Sequence, residues 1–361
     1  MSMAACLRRC NLFSWSLEMK IQTQSCVVNG KRDVAVIAQE VDYRGQGTLV
    51  KISRGGICGS DLHYFQEGKV GNFQVRQPMV LGHEVIGEVV ASDSPQLPVG
   101  QKVALNPSNP CGQCKYCLAQ QSNQCVEMRF FGSAMYFPHV DGAFTQYKVV
   151  DSAQCIPYAA DRDDRVMVFA EPLAVAVHAA KQPGDVTGKK IFVSGVGPIG
   201  CLLVAALKAL GAAEIVCADL SPRCLAIARQ MGADRCLHAA DDDFSGYLQD
   251  KGYFDVAFEV AGHPQSLQRC LEITCAKGTV VQVGMGGSFP DFPLMLLIAK
   301  ELNLLGSFRF VAEFALAVAW LADGVIDPLP LLSAEFASGQ LAQALTFAGD
   351  KRQAAKVQLV F

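Results

Sequence analysis

The 361-residue sequence contains no run of about 18 uninterrupted apolar residues, so no helical membrane span is expected. It also lacks an excess of basic charge. Its 31 Lys and Arg stand against 34 Asp and Glu, for a formal net charge of −3. Nucleic acids and anionic membranes demand clustered positive charge, so neither is expected as the main partner. No internal repeat and no low-complexity segment occurs. Residues 1–18 carry Arg8, Arg9 and a short Leu12–Phe13 patch, without the longer apolar run of a signal peptide. They read as a disordered extension, or as the product of a start codon upstream of Met19, and the cytoplasm is the expected compartment. What is present is 51% hydrophobic and 18% charged residues, in a chain long enough for two domains. A small molecule is the expected partner.

The 15 cysteines do not read as a disulfide framework, which belongs to small secreted chains. Cys201, Cys217, Cys224, Cys236 and Cys270 sit singly in apolar surroundings, as core residues do. Cys111, Cys114, Cys117 and Cys125 are different, because the spacing C-x2-C-x2-C-x7-C can close a tetrahedral thiolate site around Zn²⁺. Such a site is full, and therefore structural.

Along the chain, residues from about Gln22 to Val150 read as short strands and turns with no long helical period. From Gly188 strands and helices alternate, which implies a doubly wound parallel sheet. The apolar run Ile191–Val193 precedes Gly195-Val196-Gly197-Pro198-Ile199-Gly200, and the next strand ends at Asp219, 24 positions after Gly195 (219 − 195). In that context the glycine motif reads as a dinucleotide fingerprint. Loop amides and the helix start take the pyrophosphate, and Asp219 takes the ribose hydroxyls. An acid there repels a 2′-phosphate, so NAD is favoured over NADP, with Arg223 close enough to soften the preference. After about Ser307 a helix over Glu313–Ala322, a Pro-rich loop and a strand over Ala355–Phe361 are too little to fold alone, and return to the first domain.

A catalytic metal needs an open coordination position. Cys58 in Gly55–His63, His83 and Glu84 in Leu81–Glu84, and Glu171 in Ala170–Leu173 offer the donors, with Glu84 and Glu171 alternatives for the third ligand. Asp61 is expected to orient His83 by a hydrogen bond, and Ser60 and His63 to pass a substrate proton to solvent. Taken alone, Ser60 is a turn residue and Asp61 a helix cap.

In this combination the chain resembles the zinc-dependent medium-chain dehydrogenases, and within them the sorbitol dehydrogenase branch. The resemblance rests on Gly55–Phe65, Gly71–Glu84, Glu171–Leu173, the glycine motif and Gly306–Phe310. Met128–Gly142 and Ala354–Phe361 are most similar to bacterial enzymes that oxidise L-idonate. The resemblance implies an α/β chain with a GroES-like β-rich catalytic domain (19–166), a Rossmann domain (167–306) and a return segment (307–361). It implies two zincs per subunit, NAD or NADP, a homo-oligomer (a tetramer, or a dimer) and a polyol site lined by Ser60, Tyr64, Glu171 and Arg309. Val283, Gly284 and Met285 would follow the nicotinamide. The reaction it implies is hydride transfer from a secondary alcohol of a sugar acid, L-idonate to 5-keto-D-gluconate. Arg309 and Arg129 are the candidates for the substrate carboxylate, with Arg129 favoured because Arg309 also occurs in enzymes for neutral polyols. The rivals are a sorbitol, other polyol or threonine dehydrogenase and, from another class, a non-catalytic nucleotide-binding protein that keeps the fold.

Overall fold

In a computed structural model the chain is described over residues 18–361, so the expectation for the N-terminal extension lies almost wholly outside the described residues. Two sheets organise the rest. Strands rich in Val, Ile and Phe over Lys190–Ser194, Glu214–Asp219, Arg235–His238, Phe254–Glu259, Thr274–Gln282 and Asn303–Gly306 form one parallel sheet. Numbered along the chain, these six lie in the order 3-2-1-4-5-6. In the three central strands, Lys190–Ser194, Glu214–Asp219 and Phe254–Glu259, side chains are buried on both faces, which is why they read as continuous apolar runs instead of alternating ones. The order reverses between Lys190–Ser194 and Phe254–Glu259, and ligands of such sheets bind at the carboxyl ends beside that reversal.

The second sheet has seven strands. Cys155–Pro157, Lys102–Leu105, Glu84–Ser92, Thr48–Gly56, Lys356–Val360 and Leu332–Ala337 follow one another across it, with Tyr147–Val150 paired to Thr48–Gly56. The C-terminal strand thus lies beside Thr48–Gly56, the strand that leads into Cys58. Two features depart from the sequence reading. Glu18–Gly30 and Asp33–Arg44 form a hairpin of 13- and 12-residue strands, far longer than the short strands expected there. The return to the catalytic sheet also begins later than residue 307. Phe314, Ala317, Val318 and Leu321 of the helix Glu313–Ala322 share a core with the helices Ala170–Lys181 and Pro198–Ala209 and with Val193 and Phe258 of the parallel sheet. An almost wholly apolar helix needs cover on more than one side, and that core supplies it. The return proper starts at the strand Leu332–Ala337, and the helix Leu341–Gly349 follows it.

Candidate active site

The strand Thr48–Gly56 runs into a helix, Gly59–Glu67, capped at both ends. Asp61 Oδ2 accepts from the Cys58 amide at 2.9 Å, and Gly68 closes the helix in the left-handed conformation, donating to the Tyr64 carbonyl at 3.0 Å. Asp61 Oδ1 accepts a second amide, from Gly82, at 3.2 Å. Both carboxylate oxygens of this buried side chain are therefore spent on backbone, and the expected hydrogen bond to His83 is not made. Asp61 instead ties the turn bearing Cys58 to the turn bearing His83.

Those turns bring the ligating atoms of Cys58, His83 and Glu84 within 4.8 Å of one another. Glu84 is not free. Lys356, on the C-terminal strand, donates to its two oxygens at 2.7 and 2.6 Å and to the Ile57 carbonyl at 3.2 Å, and both side chains are buried. Glu171, from the first turn of the helix Ala170–Lys181, stands outside the 4.8 Å group. Burial, aided by the charges of Glu84 and Cys58 and opposed by His83, pushes its carboxyl up to about 8. A thiolate, an imidazole and one of two carboxylates fit a zinc site with one position open. Lys356 carried no signal in the sequence beyond being the one charged residue of the final strand.

The remaining expected residues divide. Tyr64 is buried, and its hydroxyl accepts from the Ala134 amide at 3.0 Å. Arg309 lies with its guanidinium 4.3 Å from the Phe130 ring centre, and Phe130 in turn packs on His83 with ring centres 5.4 Å apart. Burial lowers the Arg309 pKa while Glu171 and Tyr64 raise it, which puts both groups within electrostatic reach. Its backbone has φ 54°, a left-handed conformation that costs a non-glycine residue free energy. The Phe308 carbonyl is held by Asn123 at 2.9 Å, so the four-cysteine loop braces the turn that presents Arg309. Arg129 precedes Phe130 on the same short strand and therefore points to the other face. It is exposed, over the Tyr136 ring, and is not brought to the Cys58 group. Ser60 is half-buried, whereas His63 is exposed and contacts Glu67 at 3.3 Å.

In the four-cysteine loop the sulfur separations are 3.6 Å (Cys114–Cys117), 3.5 Å (Cys111–Cys125) and 4.0 Å (Cys111–Cys117). A tetrahedron with zinc–sulfur bonds of about 2.3 Å has edges of about 3.8 Å, so the four thiols fit the ion without rearrangement. Backbone amides, first that of Cys117 and then that of Val126, hold the Cys114 thiol down at about 6.

At the dinucleotide motif Gly197 caps the helix Pro198–Ala209, and nothing lies within 4 Å of where its Cβ would be. Gly195 has φ +92°, and a Cβ on Gly200 would stand 2.1 Å from the Gly195 carbonyl oxygen, so strand and helix pack only with glycine at both. Pro198 and Ile199 open the helix, leaving its first amides free for an anion. Asp219 accepts from the Val196 and Ser221 amides, each at 2.8 Å, and so fixes the glycine turn from the neighbouring strand end. Arg223 does not turn towards Asp219. It bonds the Gln353 carbonyl, and Ser333 Oγ at 2.9 Å, linking the Rossmann domain to the returning segment. At the far strand ends Gln282 Oε1 and Ser307 Oγ are buried without a hydrogen-bond partner among the described residues, beside Val283, Gly284 and the exposed Met285. Unpaired polar atoms at the carboxyl ends of a doubly wound sheet suit a bound cofactor.

Comparison with known proteins agrees with this geometry. Residues 45–160 match the alcohol dehydrogenase GroES-like domain, and residues 198–323 match the zinc-binding dehydrogenase domain. The chain is 64% identical over 343 residues to L-idonate 5-dehydrogenase (NAD(P)(+)) of Escherichia coli K12, covering 95% of this chain and 100% of that one. It is 33% identical over 333 residues to Bacillus subtilis sorbitol dehydrogenase, covering 89% and 92%. The crystal structure of the E. coli L-idonate enzyme superposes with a TM-score of 0.95 over 95% of this chain and 99% of that chain. Two matched domains around one Cys–His–Glu group make the chain a member of the zinc-dependent medium-chain dehydrogenase family, an oxidoreductase that uses zinc and NAD(P).

Proposed function

We propose that the protein oxidises L-idonate to 5-keto-D-gluconate, with Cys58, His83 and Glu171 holding the catalytic zinc and Cys111, Cys114, Cys117 and Cys125 the structural one. The observation that carries the substrate reading is the 64% identity, over 95% of the chain, to a relative named for L-idonate. The semi-buried Arg309 guanidinium beside the Cys58–His83 group supplies a cation to meet the acid. A polyol needs hydroxyl partners only, whereas a sugar acid brings a carboxylate whose two oxygens match a guanidinium fork. Arg129, exposed on the other face of its strand, yields that role to Arg309. The relative at 64% identity is named for this substrate, while the one named for sorbitol shares 33%.

When bound, zinc acts as a Lewis acid on a substrate hydroxyl and the nicotinamide accepts hydride. The chain does the rest. Glu84 stands nearer Cys58 and His83 than Glu171 does, but Lys356 already satisfies its charge, which leaves Glu171 as the carboxylate free to serve as third ligand. Ser60 and His63 are three residues apart on one helix and share a face. One is half-buried and the other exposed, the order needed to lead a proton from a closed site to solvent. Tyr64 and Arg309 orient the sugar acid, and Asp219 favours NAD by repelling a 2′-phosphate. With Arg223 engaged elsewhere, that preference is stronger than a nearby free cation would allow. We place the enzyme in the cytoplasm, where its thiols stay reduced, and read it as a homo-oligomer.

Arg309→Ala tests the substrate assignment. Loss of a charge-assisted contact of about 1.5–3 kcal/mol raises KM for L-idonate by about 10- to 100-fold with both zincs retained. Lysine recovers only part, because it offers no fork. An unchanged KM removes Arg309 from the substrate site.

A further inference from the structure

The last residue of the strand Phe254–Glu259 is a carboxylate with no exposed surface. Glu259 accepts from the Gly262 amide at 2.9 and 3.0 Å, from the His263 amide at 3.5 Å and from Gln282 Nε2. All are neutral donors, and no cationic side chain pairs with it among the described residues. The acid sits at the carboxyl end of the strand beside the sheet's reversal, directly under the loop that follows Thr274–Gln282. Its own carbonyl accepts from the Val283 and Gly284 amides at 2.8 and 2.9 Å, and Gln282 also donates to the Gly284 carbonyl at 2.8 Å. A Cβ on Gly284 would stand 2.2 Å from the Gly262 amide and 2.8 Å from the Glu259 carboxylate, so this loop lies against the acid with no side chain between.

A buried anion held only by dipoles costs free energy that a nearby cation would offset. Oxidised nicotinamide carries a positive charge on its ring, and reduced nicotinamide carries none. We propose that Glu259, sealed beneath Val283–Met285, biases the cofactor site towards the oxidised nicotinamide. The inference rests on the reading of Val283–Met285 as the loop that follows the nicotinamide. A purely mechanical clamp is the competing role, since Glu259 also ties the loop after its own strand to the loop after the next. The two roles differ in what they discriminate. A clamp serves both redox forms alike, whereas a charge separates them.

The measurement is the dissociation constants of NAD⁺ and NADH for the zinc-loaded enzyme without substrate, by calorimetry or fluorescence, in wild type and Glu259→Gln. Removing one unit charge at an effective dielectric of ~20 is expected to raise the ratio Kd(NAD⁺)/Kd(NADH) about tenfold. A melting scan reports whether the variant is folded. Should it fail to fold, Glu259→Met combined with Gln282→Met removes the charge together with its side-chain donor, and the same tenfold rise is expected. A rise below ~3-fold in a folded variant overturns the inference, whatever happens to the individual constants. A wild type that binds neither NAD⁺ nor NADH overturns the cofactor-site reading itself, and the inference with it.

Discussion

At the scale of single residues, two carboxylates beside one thiolate and one imidazole cannot play the same part. Glu84 is compensated by Lys356 on both oxygens, whereas Glu171, also buried, has no ion-pair partner among the described residues. Glu171→Gln is therefore expected to lose about one zinc per subunit, while Glu84→Gln keeps both, as metal analysis of the purified variants would read. Lys356→Met leaves a buried carboxylate unpaired and is expected to cost about 3–5 kcal/mol in denaturant unfolding, with Lys356→Met/Glu84→Gln recovering most of the loss. Equal zinc content in the two glutamine variants would contradict this division. Much of the site was legible at this scale because Cys, His and Glu carry their chemistry in their identity. The partners of Asp61 and Arg223 were not legible. Each has several polar groups in reach, and only the packed chain decides that Asp61 takes two amides and Arg223 the returning segment.

At the scale of elements, the glycine motif, the helix Pro198–Ala209 and the strand ending at Asp219 were readable because backbone needs dictate them. The place of the helix Glu313–Ala322 was not, since an apolar helix announces that it is buried without saying against what. It packs on the helix Ala170–Lys181, and Glu313 joins the two by contacting His178 at 3.2 Å. Burial raises the Glu313 pKa, but hydrogen bonds from His178 and the Val311 amide outweigh it and hold the carboxyl at about 2. A depressed folded-state pKa stabilises above the unfolded value of about 4.3 and ceases to do so as pH falls through the folded value. Glu313→Gln is thus expected to cost about 1–2 kcal/mol near pH 6, because solvent screens part of the interaction, and progressively less between pH 4 and pH 2. Chemical denaturation at both pH extremes checks it. A cost independent of pH would show that the carboxylate charge is not what joins the helices.

At the scale of the whole molecule, the parallel sheet ends in an open edge strand, Asn303–Gly306, beside a helix, Leu294–Ala299, with no buried residue. Met285, Leu294, Met295 and Ile298 stand 84%, 55%, 72% and 56% exposed there. An unpaired edge flanked by apolar side chains invites pairing, and two copies related by a two-fold axis supply matching edges. If this edge joins two copies, Leu304→Lys is expected to lower the mass read by light scattering, while an unchanged mass would show that this edge joins none. The proposed enzyme joins a zinc-and-nicotinamide hydride site to a guanidinium proposed to read a sugar acid. Initial rates of the zinc-loaded wild-type enzyme with NAD⁺, on L-idonate and on sorbitol, test that joining most directly. The account predicts a higher kcat/KM for L-idonate by at least the ~10-fold that one charge-assisted contact provides, with 5-keto-D-gluconate as product. Faster oxidation of sorbitol would contradict it.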